Sequence, residues 1–286
     1  MAIDPKLLED LEARRRKIKY AATPEKYEAR HAKGDWTARE RMSCLFDAGS
    51  FCEIGMHTKH HCSNFGMLKK DIPGDGIVTG YGLVNGRPVA ATAADFLAQG
   101  GSLGYMHAQK ICDAQQYALK AGMPIIQIND SGGARLQEGV DSLTGFANVF
   151  YNNVAASGVV PQISLILGPC AGGAAYSPAL TDFTIMIKDT SYMFLTGPKV
   201  VKTVTGEDVD QESLGRPFYL VNPGSISQPN AEFARHRISA LHSVAAEKDA
   251  FVSAGRNVAD HVAGPPPDAV GNIRKVGRPE FRSAAV

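Results

Sequence analysis

Two short apolar runs, each ending in paired glycines, constrain this chain more than any other feature. Ile163-Ser-Leu-Ile-Leu167 runs into Gly168-Pro-Cys-Ala-Gly-Gly-Ala174, and Ala174 to Leu180 can begin a helix. About 40 residues earlier the pattern stands in Pro124-Ile-Ile-Gln-Ile-Asn-Asp-Ser-Gly-Gly-Ala-Arg-Leu-Gln-Glu138. Length and β-branched content mark both runs as buried strands. A strand, a glycine turn and a helix start leave backbone N–H groups free at one point. Glycine also lets a ligand reach that backbone, because no side chain intervenes. Each turn alone reads equally as a tight packing joint. Together, at the ends of successive strands, they suggest N–H donors aimed at one site, as an oxyanion hole requires.

The remaining text narrows the class. A chain of 286 residues forms one large domain or two small ones. Its net charge of +1 gives no reason to expect nucleic acid or an acidic membrane surface as partner. No apolar run approaches the roughly 20 residues of a membrane span, and the opening Met-Ala-Ile-Asp-Pro-Lys has no signal-peptide pattern. Five cysteines without paired spacing point to reduced thiols and a cytoplasmic location. His57, His60, His61 and Cys62 cluster loosely, but no CxxC pair or HxxxH helix accompanies them, so no metal site is assigned.

In chain order, residues 5–20 read as a charged helix whose run Arg14-Arg-Arg-Lys17 is either a solvated face or a contact for a ligand's phosphates. Residues 24–36 read as a second helix or linker, and Thr37 with Glu40 forms a capping box. Asn85-Gly86 signals a hairpin between strands within residues 75–96. Gly100, Gly101 and Gly104 open a helix over 105–121, Asp141 to Ala156 is the next helix, and Phe183–Ile187 and Ser191–Leu195 are strands. Ser131 and Ser177 read as turn and cap residues. Asp130, Arg135 and Glu138 are expected to shape the first turn by local hydrogen bonds.

The motifs Asn129-Asp-Ser-Gly-Gly-Ala-Arg135, Gly168-Pro-Cys-Ala-Gly-Gly-Ala174 and Lys188-Asp-Thr-Ser-Tyr-Met-Phe-Leu-Thr-Gly-Pro198 resemble the carboxyltransferase (β) subunits of propionyl-CoA and acetyl-CoA carboxylases. Thr37-Ala-Arg-Glu-Arg41, Asp75-Gly-Ile-Val-Thr-Gly-Tyr81, Gly100-Gly-Ser-Leu-Gly104 and Val200-Val-Lys-Thr-Val-Thr-Gly-Glu207 extend the match over roughly residues 30 to 215. The resemblance implies an α/β crotonase-like (ClpP/crotonase) spiral of ββα units over residues 51–215, with a helical N-terminal segment (1–50) and a divergent helical extension and tail (216–286). It implies an acyl-CoA substrate whose carbon is carboxylated through an enolate. It places the oxyanion N–H donors at Gly133, Ala134, Gly172 and Gly173. Acyl-CoA contacts are expected from Gly100, Gly101, Ser131, Gly132, Arg135, Ala171, Ala174 and Tyr176. Biotin, carried as carboxybiotin on a partner protein, is the implied cofactor.

After about residue 215 the resemblance fails. The family has two similar crotonase-type halves, and this text corresponds to the first, which binds acyl-CoA. The expected partners are therefore a biotin carrier protein and a biotin-binding carboxyltransferase half, in a homo- or hetero-oligomer such as a trimer or hexamer. Alternatives are a subunit of a malonyl-thioester decarboxylase and a non-catalytic acyl-CoA-binding or assembly subunit. A helix over 230–253, with Phe233, Ile238 and Leu241 buried between subunits, and a mobile basic tail are expected beyond the match.

Overall fold

The structure is a computed structural model, and it describes residues 4–187 and 190–215. The expectations for residues 216–286, including the helix over 230–253 and the tail, lie outside the described residues, as do Lys188 and Asp189.

Helices α1 (Pro5–Lys19), α2 (Pro24–His31) and α3 (Ala38–Leu45) come first. Thr37 caps α3 through the expected box: its hydroxyl accepts from Glu40 N–H, and the Glu40 carboxylate accepts from Thr37 N–H at 2.7 Å. A short strand β1 (Cys52–Ile54) leads to the hairpin β2 (Ile77–Val84) and β3 (Arg87–Ala94). Asn85 and Gly86 turn that hairpin with φ of 51° and 77°, which suits the twist of its strands. Then α4 (Tyr105–Ala121), β4 (Ile125–Ser131), α5 (Val140–Ala156) and β5 (Gln162–Ala171) alternate. The described chain closes with α6 (Tyr176–Ala179), β6 (Phe183–Met186), β7 (Tyr192–Phe194), α7 (Pro198–Thr205) and α8 (Gln211–Gly215).

The seven strands form one sheet in the order β1-β2-β3-β4-β5-β6, with β7 paired to the end of β5. β1, β2 and β3 are antiparallel, while β3, β4, β5 and β6 run parallel. The central strands are buried on both faces, so their text is continuous rather than alternating. Ile126, Ile128, Ile163 and Leu165 pack toward Ala38 and Met42 of α3. Ile166 and Cys170 face the opposite way, against Ile111 of α4 and Phe146 of α5. The sheet thus lies between α3 and the α4–α5 pair. β5 is longer than its apolar run, because Gly168 to Ala171 stays extended: Ser131 pairs with Cys170 and Phe194 with Ala171. Both glycine turns therefore leave adjacent parallel strands at the same end of the sheet.

Candidate active site

The first turn follows β4. Gly133 has φ of 101°, a region that L side chains rarely adopt. A Cβ there would lie 2.7 Å from Ala171 O, so this glycine permits the close approach of the two turns. The turn is also stitched to the loop before α4. Gly132 N–H donates to Gly100 O at 2.9 Å, Leu103 N–H to Gly133 O at 2.9 Å, and Arg135 N–H to Leu103 O at 2.9 Å. A Cβ on Gly101 would overlap Asp130 O, which places that loop against the turn. In an extended ladder, successive N–H groups point to opposite sides. Ala134 N–H therefore faces away from Leu103. Gly133 N–H is engaged internally, donating to Ser131 Oγ at 3.1 Å. Ser131 is a turn residue, as its text suggested.

The second turn is a single 3-10 turn over Gly172–Ala175 that runs directly into α6. Gly172 has φ of 60°, and the nearest atom to a Cβ there is Leu195 O at 3.8 Å. Gly173 differs: a Cβ would lie 2.9 Å from the Phe146 ring, so its missing side chain leaves room for the core rather than for a ligand. Of the expected acyl-CoA contacts, Tyr176 is exposed, Ala171 and Gly100 are half-buried, and Gly101 and Ala174 are buried. Cys170, although inside the motif, is no nucleophile: burial pushes its thiol up to about 12.

Two expectations change here. Arg135 is 1% exposed and does not reach any open surface. Its guanidinium pairs with Asp75, donates to Glu138 Oε1 at 2.9 Å and to Ser102 O at 2.9 Å. It locks the turn to the loops before β2 and α4, so it is a structural clamp and not a substrate contact. Asp130 is not a local turn former either: its carboxylate pairs with Arg30 of α2 and, at 2.8 Å, with Arg41 of α3, whose Nη2 also donates to Leu167 O at 2.8 Å. Glu138 makes the local bond read for it, its Oε1 accepting from Arg135 at 2.9 Å, and its Oε2 also reaches beyond the turn to accept Tyr105 N–H at 2.7 Å. Single-sequence periodicity carries no signal for partners about 90 or 100 positions away.

His107 and Lys110 on α4 complete the charged side. Burial, with Arg135 and Lys110 nearby, holds His107 well below its ordinary range, so it is neutral, and its ring nitrogen Nδ1 meets Asp75 O at 2.9 Å. Burial lowers Lys110 to about 8, and its ammonium donates to Gly74 O at 2.8 Å. The run Arg14–Lys17 lies on an exposed helix whose pairs are surface ones, Arg14 with Asp10 and Lys17 with Asp71.

A family model described as the carboxyl transferase domain matches residues 29–217. The chain belongs to the carboxyl transferase domain family. It is 54% identical over 215 residues to methylmalonyl-CoA decarboxylase subunit alpha of Propionigenium modestum, covering 75% of this chain and 42% of that protein. It is 57% identical over 209 residues to the mitochondrial propionyl-CoA carboxylase beta chain of Homo sapiens, covering 72% and 39%. Among solved structures, it superposes on transcarboxylase 12S, a hexamer assembly with hydrolysed methylmalonyl-coenzyme A bound. The TM-score is 0.73 at 48% identity, covering 76% of this chain and 43% of that one. The beta subunit of P. aeruginosa geranyl-CoA carboxylase matches with a TM-score of 0.61 at 25% identity, covering 82% and 44%. The fold is the crotonase-like α/β fold of these carboxyltransferases. The chain spans about two fifths of the length of the curated relatives it matches. Among the described residues, no helix is long and apolar enough to cross a membrane.

Proposed function

We propose that this chain is the acyl-CoA-binding part of a biotin-dependent carboxyltransferase. One observation carries the reading: two glycine turns, on adjacent parallel strands, meet closely enough that a Cβ at Gly133 would strike Ala171 O. The thioester carbonyl of a short-chain acyl-CoA lies against these turns. Loss of its α-proton gives an enolate whose negative oxygen accepts from fixed backbone N–H groups. On the second turn the donors are Gly172 and Gly173. On the first, Ala134 is the donor rather than Gly133, whose N–H is already engaged. Fixed donors of this kind contribute about 3–4 kcal/mol each at the transition state.

Both turns are used by the thioester, so the biotin ring is assigned to a partner half and its carrier protein. Biotin, when bound there, supplies the carboxyl group and accepts the α-proton. This chain needs no side-chain base of its own. Hexameric transcarboxylase 12S supports an oligomer as the working form. A second reading, decarboxylation of a malonyl-type thioester through the same enolate, draws on the similarity to methylmalonyl-CoA decarboxylase. The oxyanion site serves both.

Calorimetry with acetyl-CoA, propionyl-CoA and malonyl-CoA tests the shared part. Binding of at least one without biotin is expected. No heat with any of them at millimolar ligand removes the acyl-CoA reading. Release of CO2 from a malonyl-type thioester, without transfer to an acceptor, by the chain with its partners would select the second reading.

A further inference from the structure

Behind the second turn lies a chain of buried amides and one hydroxyl. Gln127 of β4, Ser177 of α6, Asn153 of α5 and Gln162 of β5 are all at most 6% exposed. Asn153 O can only accept, and Gln162 Nε2 donates to it at 2.9 Å. That fixes Gln162 Oε1 toward Asn153, where it accepts from Asn153 Nδ2 at 2.9 Å. Asn153 Oδ1 is thereby turned to Ser177 and takes its hydroxyl proton at 2.9 Å. The Gln127 amide stands 3.0 Å from Ser177 Oγ on the other side. A hydroxyl has one proton and cannot donate to two oxygens. Gln127 must therefore present its NH2 to Ser177, an orientation that also provides a partner for its otherwise unpartnered buried amide nitrogen. The result is a one-way relay from Gln127 to Ser177 to Asn153 to Gln162, anchored on a backbone carbonyl.

The relay ties the strand that carries the first turn to the helix that closes the second. Ser177 lies five residues after Gly172, and Gln127 four before Ser131. α5 adds two apolar supports in register: Phe146 stands against Gly173, and Phe150 lies 5.7 Å from the Phe146 ring and 5.9 Å from the Tyr176 ring. Positions 146, 150 and 153 share one face of α5.

We propose that Ser177 is a positioning residue: through the Gln127–Ser177–Asn153 relay it sets the spacing between the two turns, and so the strength with which they hold a negative oxygen. This rests on the two-turn site proposed above. The test compares two ligands on the full chain. One is acetyl-CoA. The other is a coenzyme A analogue in which CH2 replaces sulfur and a carboxylate replaces the acetyl group, so that an anionic oxygen takes the enolate's place. Wild type is expected to prefer the carboxylate. In Ser177→Ala, acetyl-CoA affinity should stay within about threefold while carboxylate affinity falls by about tenfold or more, the cost of misplacing an oxyanion donor. Ser177→Thr keeps the hydroxyl, beside a cavity of about 30 Å³, and should restore the preference.

Equal losses for both ligands would show a merely structural role and overturn the proposal. So would a retained preference in Ser177→Ala, which leaves the two-turn site standing. A wild-type chain that binds both ligands equally removes the two-turn site and this proposal with it. Should Ser177→Ala fail to fold, Gln127→Met breaks the other end of the relay and is read in the same way.

Discussion

The two glycine turns do the same geometric job and are held by opposite physics. The first is gripped by buried ions: Arg135 with Asp75 and Glu138, and Asp130 with Arg30 and Arg41. The second is held by apolar contact and neutral hydrogen bonds: Phe146, Phe150 and the amides around Ser177. Buried ion pairs contribute little net stability, since desolvation offsets attraction, but losing one partner leaves an uncompensated charge. A neutral network degrades more gently. The first turn should therefore be brittle and the second compliant.

The largest expected effect tests brittleness. Arg135→Leu leaves two carboxylates buried without their cation and should cost about 3–5 kcal/mol, read as a shift of the urea midpoint. A loss no greater than that of the second-turn variants would erase the contrast. Next comes Gly133→Ala, which combines a left-handed φ with a Cβ 2.7 Å from Ala171 O. Strain of about 1–3 kcal/mol is expected, with loss of acyl-CoA binding in calorimetry. Gly173→Val should cost a similar amount, about 1–3 kcal/mol, because it overpacks against Phe146. Turnover falls through displacement of the turn; the simpler view is a side chain that blocks the substrate directly in an intact fold. Normal stability with abolished turnover would restore that simpler view.

A smaller effect concerns Lys110, whose ammonium anchors the loop that carries Asp75. Burial lowers it from 10.5 to about 8. Between those values the unfolded chain holds the proton and the folded chain does not, so this group makes stability rise with pH in that window. Lys110→Met should lose that rise relative to wild type in unfolding curves taken at pH 8 and pH 10. Identical slopes would mean that the ammonium is not desolvated in solution. The smallest effect belongs to Lys17→Ala. Its pair with Asp71 is largely exposed, and stability should stay within about 0.5 kcal/mol.

Periodicity and turn chemistry made most of the fold legible. The isoleucines of β4 and β5, the capping box at Thr37, the Asn85-Gly86 hairpin and the helix behind Gly104 all fell where read. These are local choices, decided by neighbours within a few positions. The glycine motifs likewise placed both turns, and the resemblance they carry named the family that residues 29–217 match.

The sequence alone could not say which way a missing side chain points. Gly133 and Gly173 look alike as text, yet one opens toward the other turn and one toward the core. Nor could it separate a charge that meets substrate from one that never leaves the interior, as Arg135 shows. Ser177 read as a cap, because its partners on β4 and α5 stand 50 and 24 positions away. Strand and turn identity follow from local backbone preference, which the sequence encodes directly. The destination of a buried polar side chain depends on which distant groups the fold brings within about 3 Å of it, and only the tertiary structure decides that.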